Sequence, residues 1–212
     1  MREQEFQKEN NNLLSSSNLA NESLFAHVRE EIMKAPLSPA SNRTAISIKD
    51  IGQIAEMSLP GAWGPSQEKN GFGATGSYKE FAPGGVPDVH LGFFYRGRQI
   101  SSESGDSFNR VLKGSPHQLS KDELDALSPM LRGMNQAELF DLKSASTGDI
   151  NGKRVLLLSG TNLASGLETQ TIFIEADREG RVVQEIEYQA AQDKFQIFQS
   201  DVQKAVRSIV WK

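Results

Sequence analysis

Apolar residues recur along this 212-residue chain with two periods, and the change of period divides it. Leu24, Phe25, Val28, Ile32 and Met33 keep helical spacing, with Asn21 or Ser23 placed to accept from the free amides of a first turn. Pro36 and Pro39 end that helix at Ala35 and make 35–44 a linker, while the run NNNLLSSSNLAN over 10–21 offers little to bury. The chain therefore reads as an arm over 1–43 and a single domain over 44–212. One short helix behind a proline-containing linker cannot form a core, so the arm is expected to be dispensable for folding and to carry any regulated contact.

From Thr44 the period shortens toward two. Ile46, Ile48, Ile51 and Ile54 lead through Met57 to Leu59-Pro60-Gly61-Ala62-Trp63, which predicts an alternating strand closed by a Pro-Gly turn that presents a large aromatic. Residues 71–85 read as loop, anchored by Tyr78 and Phe81. Val89, Leu91, Phe93 and Tyr95 then alternate with His90, Gly92, Phe94 and Arg96 in a strand that Gly97 is expected to break.

Ser120-Lys121-Asp122-Glu123 is a capping box that starts a helix buried through Leu124 and Leu127, with Leu131 continuing it past a break at Ser128-Pro129. Strands follow near 138–146, 153–161 and 168–176, the first two joined through Asp149-Ile150-Asn151-Gly152, where Asn-Gly suits a hairpin. A turn at Asp177-Arg178-Glu179-Gly180 leads into Val182, Val183, Ile186 and Tyr188. Phe195, Phe198, Val202, Val206 and Ile209 share one helical face, buried on the sheet. The fold expected is α+β, a central antiparallel sheet flanked by helices as an α/β/α sandwich, with the C-terminal helix packed on the sheet.

Composition mainly excludes. Without cysteine there is no disulfide scaffold, cysteine-ligated metal or thiol nucleophile. A net charge of −4 gathers neither nucleic acid nor anionic membrane. The first nine residues lack an export signal, and nowhere do 18 apolar residues run together, so a soluble, cytoplasmic protein is expected.

Candidate chemistry is sparse. Gly71-Phe72-Gly73-Ala74-Thr75-Gly76 has dinucleotide-fingerprint spacing, but Glu68-Lys69-Asn70 stand where a hydrophobic strand is needed, so no cofactor is expected. The histidines are His27, His90 and His117. Asp88 and His90 share a strand face but lack a third ligand, His117 reads as a loop residue and His27 lies on the polar flank of the first helix. Neither Ser159-Gly160 nor Gly114-Ser115 is flanked as a nucleophile elbow requires. Asp122 with Glu123 read as helix-opening acids and Glu185 with Glu187 as solvated carboxylates. No catalytic or metal residue is assigned. Arg96 and Arg98, flanking Gly97, are the best local contact for an anion or an acidic partner.

Ser58-Leu59-Pro60-Gly61-Ala62-Trp63, the later Glu187-Tyr188-Gln189-Ala190 and the closing Phe195, Phe198, Val202 and Ser208-Ile209-Val210-Trp211 together resemble Mog1/PsbP-like proteins over about 45–212. That resemblance implies an antiparallel sheet between helices, a short opening hairpin with a Pro-Gly-Trp-like turn, and a final helix followed by a brief strand. It also implies a binding or accessory role, as in a nuclear-transport GTPase partner, photosystem extrinsic subunits and many bacterial proteins of no assigned activity. The expectation is a non-enzymatic protein whose partner is another protein; the alternative is a hydrolase whose carboxylates and histidine meet only in the fold. No residue pattern selects an oligomeric state.

Overall fold

A computed structural model describes residues 44–72, 76–133, 140–177 and 179–212. The arm expected over 1–43, with its helix, linker and His27, lies outside the described residues. Ten strands and three helices are present among them. Strands β1 (Ile46–Ile51), β2 (Ile54–Leu59), β3 (Trp63–Phe72), β4 (Gly76–Pro83) and β5 (Val89–Gln99) precede helices α1 (Ser102–Lys113) and α2 (Lys121–Gly133). Then come β6 (Phe140–Ile150), β7 (Lys153–Asn162), β8 (Glu168–Glu175), β9 (Val182–Ala190), helix α3 (Gln192–Arg207) and β10 (Val210–Trp211). The seven-stranded sheet runs β3-β4-β5-β9-β8-β7-β6 and a smaller one β1-β2-β10, every pairing antiparallel. The fold is α+β, mostly antiparallel sheet with three helices.

Buried side chains form two clusters. One joins Leu91, Phe93, Ile172, Ile174, Ile186 and Tyr188 to Val202 and Ala205 of α3 and to Ile48, Ile51, Met57 and Leu59 of the small sheet. The other joins Leu156, Leu158, Phe173 and Val183 to Phe108, Val111 and Leu112 of α1 and Leu127, Met130 and Leu131 of α2. Ile172, Phe173 and Ile174 fall alternately into the two clusters, as the pleat of one strand requires.

The later strands and their order agree with the alternating pattern, and the turn between β6 and β7 is the Asn151-Gly152 pair, both at positive φ (50° and 83°). The brief strand after the last helix is present as β10.

Other expectations are corrected. The apolar run from Ile46 to Leu59 is a hairpin, not one strand: Gly52, at φ 59°, turns the chain so that Ile51 pairs with Ile54. Residues 71–85 are largely strand, because Tyr78 and Phe81 pair with Phe94 and Leu91 across a β4 that the glycines disguised. Gly97 does not end β5; at φ 73° it makes a bulge between Phe94 and Arg98, and the strand continues to Gln99.

Helix α1 went unforeseen. Ser101 caps it by accepting from the Ser104 amide at 3.2 Å, and Phe108, Val111 and Leu112 bury its inner face. Helix α2 runs through Pro129 without the expected break, held on both sides of it by Leu127, Met130 and Leu131. Of the expected stripe, Val202 on α3 and Ile209 just beyond it are fully buried; Phe195, Phe198 and Val206 pack against the cluster with part of each side chain exposed.

Candidate functional site

The Pro60-Gly61 turn places Trp63 at the start of β3, where only 2% of it remains exposed. Its amide donates to the Pro60 carbonyl at 2.9 Å, its ring meets Phe198 edge-on at 6.2 Å, and its indole N–H points to Asp201 Oδ2 at 3.5 Å. Beside it opens a cavity of about 630 Å³, lined by residues 61–66 and 82–87. Apart from Ser66 these are glycine, alanine, proline, valine and tryptophan. The two lining segments meet where β3 pairs with β4, Trp63 opposite Pro83 and Gly64 opposite Ala82, and the Gly84 amide ties them further by donating to the Ala62 carbonyl at 2.9 Å, while Val86 N–H closes a turn onto the Pro83 carbonyl at 3.2 Å. Such a wall recognises shape and backbone rather than charge.

A polar cluster lies next to this groove. Glu80, opposite Gly92, accepts from Tyr78 Oη at 2.6 Å and Ser66 Oγ at 2.7 Å, and its Oε1 lies 3.2 Å from His90 Nδ1. Burial opposes ionisation of Glu80, but the bonds from Tyr78 and Ser66 and the nearby His90 outweigh it and hold the carboxyl below its ordinary range. Burial, reinforced by Glu80, pushes the Tyr78 phenol well above its usual value. The carboxylate, not the histidine, is the hub. A serine hydrolase needs the histidine between serine and acid, so that one ring nitrogen takes the hydroxyl proton while the other is oriented. Here Ser66 and His90 both address Glu80, and the serine proton is already committed to it.

The second histidine stands at the start of α2. His117 Nε2 is 2.9 Å from Glu123 Oε1, and Nδ1 is 2.8 Å from the Ser115 carbonyl and 3.1 Å from Thr147 Oγ1. Glu123 also accepts from the Ser120 amide at 2.8 Å, so the expected capping box is present. Those backbone bonds, helped by His117, bring the Glu123 carboxyl down to about 2. The bond to the Ser115 carbonyl, and then Glu123, raise the His117 pKa above its ordinary 6.5.

Asp88 and His90 do not converge. Asp88 precedes β5 at φ 58° and lies 4.0 Å from Lys194 Nζ, while His90 turns to Glu80. Glu185 is not a solvated carboxylate: it is 1% exposed, on the same strand face as the half-buried Glu187. Arg96 and Arg98 sit on either side of the Gly97 bulge inside β5, and their side chains lie outside the description. Of the fingerprint-like run, Gly71 lies in β3 and Gly76 opens β4, Gly73 lies outside the described residues, and the element that follows is a strand rather than a helix that could receive a pyrophosphate. No cluster of three or more potential metal ligands occurs among the described residues. The groove is partly visible in sequence as the Pro-Gly-Ala-Trp turn; of its other wall, 82–85 falls in the stretch that reads as loop.

No family model matches the chain, and no curated protein matches it. Solved structures do. A cyanobacterial PsbP from Synechocystis aligns over 84% of this chain and 98% of its own, with 12% identity and a TM-score of 0.49. A Pseudomonas aeruginosa protein of unknown function aligns over 79% and 97%, with 15% identity and a TM-score of 0.42. The chain has a weak PsbP-like resemblance. Among the described residues no helix is long and apolar enough to cross a membrane.

Proposed function

We propose that this chain is a non-enzymatic accessory protein that binds an extended segment of another protein in the groove beside Trp63. The observation that carries the reading is the lining of that groove: small and apolar side chains, exposed main chain and one hydroxyl, open to solvent on a floor fixed by Trp63, Phe198 and Asp201. A floor held in place before binding reduces the ordering cost of association. The hydrolase alternative has Glu80 and His90 side by side, but with the acid between serine and histidine. In this reading the two buried clusters are the faces of an α/β/α sandwich, Arg96 and Arg98 are an additional contact for an acidic part of the partner, and the setting is cytoplasmic.

Gly84→Arg tests the proposal. Gly84 is exposed and a Cβ there meets only the Ala62 carbonyl at 3.7 Å, so the arginine fills the groove without disturbing the fold. In affinity enrichment from the source organism, one or more proteins retained by the wild-type chain are expected to be lost with Gly84→Arg and kept with Glu80→Gln. Equal recovery with Gly84→Arg, or a hydrolytic turnover abolished by Glu80→Gln, would overturn it.

A further inference from the structure

Among the described residues strand β6 is the last of the seven-stranded sheet, and one of its edges pairs with no other strand of that sheet. Residues 117–119 cover part of that edge. Leu119 N–H donates to the Ala145 carbonyl at 2.9 Å, Thr147 N–H to the His117 carbonyl at 2.8 Å, and Gln118 pairs with Ser146 as an isolated antiparallel bridge. The His117 amide also donates to Thr147 Oγ1 at 3.1 Å. His117 is thus both part of this strap and the residue whose ring fastens it to the first turn of α2.

The ring has two acceptors to satisfy. Ser115 offers a carbonyl oxygen to Nδ1 and Glu123 a carboxylate oxygen to Nε2, so both bonds form only when both nitrogens carry protons. Either neutral tautomer turns a lone pair on one of them. The charged groups bearing on the ring are Glu123 from α2, which favours the proton, and Arg154 from β7, which opposes it; β6 contributes the neutral Thr147 hydroxyl. We infer that His117 is a proton-operated latch: as an imidazolium it holds the strap across β6, and on losing its proton it loosens the strap and frees that strand edge.

The direction follows from linkage. The folded pKa of His117 lies above the ordinary 6.5, so the latch is fully engaged below that value and is lost as pH rises through the folded pKa. Glu123, at about 2 in the fold, stays ionised throughout this range. The inference is independent of what fills the groove.

Two measurements on the full chain test it together. The imidazole Cε1–H resonance of His117, followed by NMR from pH 5 to 9, is expected to titrate above 6.5 in the wild type and closer to 6.5 in Glu123→Gln. Amide exchange at Leu119 and Thr147, corrected for the intrinsic pH dependence, is expected to lose protection through that same midpoint. The loss reaches about tenfold for each unit by which the folded pKa exceeds that of the opened strap. In His117→Asn the profile should be flat. A midpoint at or below 6.5, constant wild-type protection through the midpoint, or the same decline in His117→Asn would overturn the latch. The wild-type titration and exchange decide the matter even if that variant does not fold.

Discussion

In the buried cluster that includes α3, apolar residues run from the small-sheet isoleucines through Trp63 to Val202 and Ala205, and the polar groups that enter are closed into pairs. Gln184 accepts from the Gln53 amide at 2.7 Å and donates to the Ile51 carbonyl at 3.2 Å, while Asp201 meets the Trp63 indole. The cluster that includes α1 and α2 is smaller, the buried Thr171 and Glu185 share the sheet with it, and the covering segment is tied down by a half-exposed histidine and glutamate. The first cluster shapes the groove. The second carries its attachment on a titrating group. One cluster therefore shapes the groove, and the other is covered by a segment held through His117.

The largest effects should come from the buried aromatics. Trp63→Ala and Phe108→Ala, at 2% and 0% exposure, each remove a fully enclosed side chain, one from each cluster. Each is expected to cost about 3–5 kcal/mol in urea unfolding. Both tryptophans belong to the α3-side cluster, so fluorescence reports that side and far-ultraviolet circular dichroism the whole. In Phe108→Ala the two transitions should coincide; separate midpoints would show that the faces unfold independently and would break the comparison.

Gly97→Ala comes next. A Cβ at this bulge, where φ is 73°, would come within 2.6 Å of Val182 Cγ1 and 3.1 Å of the Val183 carbonyl oxygen. A loss of roughly 1–3 kcal/mol is expected, read from the denaturation midpoint. Phe198→Ala should fall in a similar range, about 1.5–3 kcal/mol, because that ring is only partly buried although it packs edge-on against Trp63. A full 3–5 kcal/mol loss would mean that the groove floor is more enclosed than its exposure implies.

The smallest effect is the pH dependence at Glu123, which sharpens the contrast between the faces. Its folded pKa, about 2, lies below the model-peptide value of 4.5, so its contribution is complete above 4.5 and is lost as pH falls through 2. The decline of melting temperature over that interval should be slightly shallower in Glu123→Gln than in the wild type. An identical slope would remove the capping carboxylate from the acid response. Solvent screening at this half-exposed site keeps the difference modest.

Much of this division was legible in the chain. The alternation in β7, β8 and β9, the Asn151-Gly152 hairpin and the capping box at Ser120 are local patterns with one physical reading. The failures arose where tertiary contacts outvote local preference. Helix α1 contains Gly105 and three serines, poor helix formers, and is carried by the burial of Phe108, Val111 and Leu112. Pro129 sits inside α2 because the residues around it are buried on the sheet. Glu80 could not be singled out at all: Tyr78 shares its strand face at i, i+2, but Ser66 and His90 come from the two neighbouring strands, and only cross-strand register brings them to the carboxylate. The groove combines a turn that the sequence marks with a second wall whose glycines and prolines carry no period.

The claim that this groove, and not the strap face, meets another protein is tested most directly by site-specific photo-crosslinking in living cells of the source organism. The probe, p-benzoylphenylalanine, replaces either the exposed Pro87 on the groove rim or the exposed Lys113 at the end of α1. The account predicts a discrete protein adduct from position 87, lost when Gly84→Arg is added, and none from position 113. No adduct at 87, or the same adduct from both positions, would contradict it.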